Sequence, residues 1–213
     1  ELDITRGVFT SGRSPHIYLP SYNISLFLTT DQDDVNKSIA LNYPAGLILK
    51  SDIEDDEEME LRVAFDFDGV VIDDEAEKVY QSERQLNAFH DHETKNVVNP
   101  HSPGILADFF KKIAFFQKLE SKKKEEDPTY NKILKTAIVT ARNAPSHERA
   151  INTLEHWGVS VDEMFFLGGI EKKRVLEVLK PHLFIDDQKS HLDQELKNIT
   201  LVHIPFGIAN NKK

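Results

Sequence analysis

Leu61-Arg62-Val63-Ala64-Phe65-Asp66-Phe67-Asp68-Gly69-Val70 changes character halfway. Its first five residues form an apolar run of the kind that suits a parallel strand buried on both faces. Two carboxylates and a glycine then follow. Residues two apart in an extended chain share a face, and the strand gives way to a loop by Gly69. Asp66 and Asp68 can therefore reach one cavity without sitting inside the sheet. An Asp-x-Asp word before glycine is often only a turn, so its meaning depends on what the other strand ends carry.

Toward the carboxyl terminus, further strands are predicted at Thr136–Thr140, Met164–Leu167, Leu183–Ile185 and Leu201–Ile204. Helical patterns separate them. One starts near Pro103 with apolar positions at Ile105, Leu106, Phe109, Phe110, Ile113 and Phe116. Another runs from Ser146 to Trp157 before Gly158, a third from Lys173 to Leu179, and a last one from His191 to Lys197. The Lys/Glu run from Lys122 to Asp127 reads as a solvated loop.

Toward the amino terminus, Gly7-Val8-Phe9-Thr10 reads as a strand end and Ser11 to Pro15 as a turn. Ile24–Thr29 and Ala45–Leu49 are strand candidates. Between them Asp31 is placed to cap a helix through Val35, Ile39 and Leu41. The acidic run Ser51 to Glu60 reads as a linker, because like charges in succession repel and hard-cation loops need spaced ligands on a turn. Strands alternating with helices predict an α/β fold with a mostly parallel, Rossmann-like sheet. The expected division is an N-terminal α/β segment over 1–60 and a catalytic domain over 61–213, with a small helical insertion at about 74–103. A start at Glu1 rather than Met reads as truncation upstream.

The 213 residues are 39% hydrophobic and 29% charged, a globular composition with no cysteine to form disulfides or thiolate metal sites. A net charge of -10 opposes binding to a phosphate backbone, so no nucleic-acid partner is expected. No apolar run is long enough for a membrane helix, and a soluble cytoplasmic protein is expected. Subunit number leaves no signature.

In such a sheet, function collects where the carboxyl ends of the strands open into a crevice. Asp66 and Asp68 lie at one such end. Thr140 lies at the next, followed by Arg142 and Asn143. Gly168-Gly169 and then Lys172 follow the third, and Asp186-Asp187 close the fourth. Singly, Thr140 or Asp186-Asp187 fits a helix cap and Lys172 a solvated surface position. Together they gather more negative charge than a cavity holds without a cation. With oxygen ligands only, magnesium is the natural candidate. A cation beside a lysine and a hydroxyl makes a phosphate cradle.

These four segments resemble the signature of the haloacid dehalogenase superfamily. The resemblance tightens to the cytosolic 5'-nucleotidase type I family and its bacterial relatives through Phe9-Thr10-Ser11-Gly12-Arg13-Ser14-Pro15, Leu26-Phe27-Leu28, Ala137 to Arg142, Trp157-Gly158, Phe165 to Gly169 and Phe184 to Gln188. Animal members read Asp-Gly-Asp-Ala where this chain has Asp66-Phe67-Asp68-Gly69. Both carboxylates survive that change.

The resemblance implies a magnesium-dependent hydrolysis of nucleoside 5'-monophosphates to nucleoside and inorganic phosphate. Asp66 is implied as nucleophile, Asp68 as general acid and then base, and Thr140 and Lys172 as phosphate-site residues. Magnesium is implied on the Asp66 side chain, the Asp68 carbonyl and a carboxylate of the last pair. Asp187 is the expected direct ligand, and Asp186 is expected to orient Lys172 or to ligate through water. Lys172 matches the family lysine better than Lys173.

Arg13, Phe89, Arg142 and Asn143 are candidate substrate contacts, with Phe89 weighed between stacking on a nucleobase and packing within the insertion. His90 and His92 lack a third spaced ligand, which argues against a metal pair. A broader small-molecule phosphatase and a non-catalytic nucleotide-binding module are the alternatives.

Overall fold

The computed structural model describes residues 6–49, 58–83, 86–193 and 196–210. Its strands are β1 (Phe27–Thr29), β2 (Ala45–Ile48), β3 (Leu61–Phe65), β4 (Leu134–Thr140), β5 (Glu163–Phe166), β6 (Leu183–Asp186) and β7 (Thr200–His203). Its helices are α1 (Gln32–Ala40), α2 (Glu75–Glu83), α3 (Leu86–Lys95), α4 (Ala107–Glu126), α5 (His147–Trp157), α6 (Lys172–Leu179) and α7 (Lys189–Leu192). The strands make one seven-stranded sheet in the order β1-β2-β7-β6-β3-β4-β5. Among the described strands, only the β2–β7 seam is antiparallel. This is the mostly parallel α/β sheet expected; α2 and α3 lie between β3 and α4, within the 74–103 stretch.

Alternation along the strands divides the core into two layers. Val63, Phe65, Ile138, Ile185 and Val202 point to one face, where Phe110 of α4 and Ala150 and Leu154 of α5 cover them. Ala64, Ala137, Val139, Phe184 and Leu201 point to the other, beneath Leu176 of α6 and Leu192 of α7. Phe65 meets Phe110 edge to face, with ring centroids 5.3 Å apart. Each such fully buried side chain contributes about 1.5–3 kcal/mol. A sheet covered on both faces has only its strand ends free for chemistry.

Several expectations shift. Residues 7–10 form no strand, and Phe9 is wholly exposed. An isolated apolar word with no strand partner gains nothing by extending. β1 is shorter than the predicted Ile24–Thr29 for the same reason, pairing with β2 only over Phe27–Thr29. Asp31 does cap α1, its Oδ1 accepting from the Asp33 and Asp34 amides at 2.8 and 3.1 Å.

The Lys122–Asp127 loop is overturned. α4 continues to Glu126, with Asp127 as its C-cap. Lysine and glutamate are good helix formers, and Lys124 Nζ donates to the Pro128 and Tyr130 carbonyls just past the helix end, at 2.7 and 2.6 Å. The last predicted helix moves forward to α7, and α6 begins at Lys172, one residue early. Most of the acidic linker lies outside the described residues.

Candidate active site

Pairing in register brings the carboxyl ends of β3, β4 and β6 level. Phe65 lies opposite Ile138 on one side and Ile185 on the other, and the Asp66 amide donates to the Ile185 carbonyl at 2.8 Å. Asp66, Thr140, Asp186 and Asp187 therefore emerge side by side, all buried. α6 starts with Lys172, whose ammonium reaches Asp66 Oδ1 at 2.8 Å and Asp186 Oδ2 at 2.7 Å. Lys172 has 3% of its side chain exposed, against 35% for Lys173, which separates the two neighbours.

The charges do not balance. Asp186 is the best served, accepting from Lys172 and the Gln188 amide and lying 3.0 Å from His191 Nδ1. Burial alone would raise its carboxyl, but Lys172 and His191 hold it down at about 2. Asp66 is pushed up to about 7 by burial, against the pull of Lys172 and with help from the Asp186 and Asp68 charges. Asp187 is pushed up to about 9 by burial and then by Asp66 and Asp186. Its Oδ1 is buried with no hydrogen-bond partner.

One ammonium cannot neutralise three carboxylates, and an orphaned carboxylate oxygen among them is the feature a cation relieves. Carboxylate oxygens suit a hard divalent ion. Asp66, Asp186 and His191 also offer ligand atoms within 4.8 Å of one another, so the cluster can hold a metal. Gly69 sets how close the first and last segments come. Its φ is +72°, and a Cβ there would stand 2.6 Å from Asp187 Oδ2.

A cavity of about 380 Å³ opens over this cluster, walled by Asp66, Asp68, Phe89, Thr140, Asn143 and His191 among others. A larger hollow of about 530 Å³ lies beside Arg62, Lys135 and Asp162 near the amino ends of β3 and β4, and neither the strand-end carboxylates nor Thr140 nor Lys172 line it. Thr140 accepts from the Arg142 amide through Oγ1 at 3.3 Å. Arg142 lies in the same wall, but it is 4% exposed and bound on all sides. Arg13 lies apart, in an exposed turn where its Nε donates to the Thr10 carbonyl at 3.3 Å; it does not line the cavity.

Two contributors carry no individual role in the sequence reading. His191 sits one turn past Asp186-Asp187 and binds Asp186. Glu93 follows Phe89 by four residues, the spacing that puts two side chains on one helix face. That spacing was readable, but Glu93 had no recognised partner in sequence. His92 pairs with Glu75 at 3.0 Å rather than with His90.

The sequence matches the family model described as 5'-nucleotidase over residues 1–211. It is also 32% identical over 196 residues to a human protein, Cytosolic 5'-nucleotidase 1B, covering 89% of this chain and 31% of that protein. The chain thus spans about a third of that relative's length. Among the described residues, no helix is long and apolar enough to cross a membrane. The chain belongs to the 5'-nucleotidase family.

Proposed function

We propose that the chain hydrolyses nucleoside 5'-monophosphates to nucleoside and phosphate, with magnesium as its cation and Asp66 as nucleophile. The observation that supports this most is the orphaned Asp187 carboxylate beside Asp66 and Lys172 beneath an open cavity. Family membership adds the substrate class, since the human relative is named a 5'-nucleotidase.

Among the described residues, the Phe67 amide and Lys172 both reach Asp66 on Oδ1. Oδ2 is then the oxygen that attacks phosphorus, forming an aspartyl-phosphate as the ribose oxygen leaves. Asp68, on the cavity wall, protonates that oxygen and later takes a proton from the attacking water. Lys172 neutralises the phosphoryl oxygens, and the Thr140 hydroxyl donates to one of them. Asp66, the Asp68 carbonyl and Asp187 would hold the magnesium, with Asp186 keeping Lys172 in place. When bound, the ion supplies charge neutralisation at the transferring group and keeps Asp66 ionised. Phe89 and Asn143 face the space left for the nucleoside.

Phosphate release from AMP, IMP, dCMP, UMP and a sugar phosphate is the test. Hydrolysis of the nucleotides should depend on magnesium, stop with EDTA and fall by at least 10³-fold in Asp66→Asn. Equal rates on the sugar phosphate would favour a broader phosphatase, and unchanged turnover in Asp66→Asn would remove Asp66 from the nucleophile role.

A further inference from the structure

The Arg142 guanidinium has five N–H donors in a rigid fork, and two carboxylates and a carbonyl engage four of them. Nε and Nη2 hold Asp68 Oδ2 and Oδ1 at 2.8 and 2.7 Å. Nη1 donates to Glu93 Oε2 and to the Ser146 carbonyl, the latter at 3.0 Å. Nη2 also lies 3.2 Å from His101 Nε2. The rings of Phe67 and Phe89 stand 5.5 and 5.4 Å from its central carbon. Four of the five donors are thus committed to Asp68, Glu93 and the Ser146 carbonyl.

Glu93 has no exposed side-chain surface, and it belongs to the insertion rather than the sheet. Its Oε1 accepts from Arg149 Nη1 on α5 at 2.9 Å, and Oε2 faces His101 Nε2 at 3.0 Å. Arg149 also donates to the Asn99 carbonyl at 2.9 Å, while Asn152 donates to the Val97 carbonyl at 2.9 Å. α5 thereby pins the insertion and fixes Glu93 against Arg142. A buried carboxylate between two guanidinium groups is held by several charge-assisted bonds in a fixed geometry.

We propose that Glu93 is a positioning residue for proton transfer: it anchors Arg142, and Arg142 aims the Asp68 carboxyl at the leaving oxygen. The bidentate pair acts as a pivot. When Asp68 carries its proton, one oxygen keeps its bond to the guanidinium while the protonated oxygen turns to the ribose oxygen. As the P–O bond breaks, that proton passes to the departing alkoxide, and Asp68 returns to the two-bond arrangement. This inference rests on the hydrolase reading above.

The test uses two substrates that differ in one atom: a nucleoside 5'-monophosphate, and its analogue with sulfur in place of the bridging oxygen. A thiolate leaves without protonation far more readily than an alkoxide, so only the oxygen substrate needs a well-aimed acid. The readout is kcat/KM, which covers steps up to the first irreversible one. Glu93→Gln should lower it roughly tenfold or more on the oxygen substrate, part of the 10²–10⁴ that such catalysis supplies. On the sulfur analogue it should stay within about threefold. In an Asp68→Asn background, Glu93→Gln should have little further effect, because both changes act on one route.

Arg142→Lys keeps the charge but lacks the fork and should show the same split, which covers a Glu93→Gln that fails to fold. Equal losses on both substrates, no loss on either, or full additivity with Asp68→Asn would overturn the proposal. A wild-type protein inert toward both substrates would instead overturn the hydrolase reading beneath it.

Discussion

At the scale of single residues, the site is a problem of excess negative charge. Asp66 and Asp187 are raised by burial to about 7 and about 9, from an ordinary 3.8. Between the ordinary and raised values the unfolded chain binds fewer protons than the folded one, so these two groups make stability fall as pH rises. Asp186 and Glu93, both held at about 2, act the other way. Their contribution is complete above the ordinary carboxylate range and is lost as pH drops. The cation-free protein should therefore melt at a lower temperature at pH 8.5 than at pH 5.5. Magnesium at about 100 times its Kd adds about 2.7 kcal/mol, a rise of about 5–10 °C for a chain of this size, and more at the higher pH. Thermal melts in EDTA and in magnesium at both pH values check this; a melting point that climbs with pH in EDTA would contradict it.

The carboxylates and Lys172 were legible because each sits at a predicted strand end or helix start. Glu93 was not, because its importance comes from Arg142 and Arg149, residues 49 and 56 positions away.

Among elements, α4 shows where local reading stops. Its charged end reads in sequence as a solvated loop, yet the run is solvated and helical at once. Its start was also displaced. Pro103 makes a bridge with Ile72, and the helix begins only at Ala107. Gly104 lies between, its amide donating to the Val71 carbonyl at 2.9 Å. A Cβ there would stand 2.3 Å from the Ile72 carbonyl oxygen and 2.7 Å from that of Val70. Those obstacles are backbone and cannot rotate away. Gly104→Ala should thus destabilise by about 1–3 kcal/mol, read as a lower urea midpoint. A midpoint equal to wild type would mean that the junction between the insertion and α4 is looser than drawn. That crossing of two backbones is invisible in sequence.

Across the whole molecule, the mostly parallel sheet was readable from strand–helix alternation, whereas the antiparallel β2–β7 seam was not. Nothing local says which way a strand enters a sheet from elsewhere in the chain. The seam joins β1, α1 and β2 to the rest of the sheet, as Leu49 donates to the Leu201 carbonyl at 2.9 Å. Native-state hydrogen exchange at Leu49 and at Asp66, whose amide is bonded inside the sheet, should give opening free energies within about 1 kcal/mol of each other. A gap of several kcal/mol would show the N-terminal part opening by itself.

The short turn Ile208–Asn210 follows β7. The Ile208 amide donates to Asp74 at the foot of the insertion, at 2.7 Å, and Asn210 Nδ2 donates to the Asp187 carbonyl at 2.8 Å. His203 Nε2 lies within 2.9 Å of the same carbonyl. Anyone who tethers this chain to a bead, a surface or a fusion partner should therefore choose the end with care. Tension applied at Asn210 is passed directly to Asp187, whereas a handle near Arg6 enters by an exposed stretch.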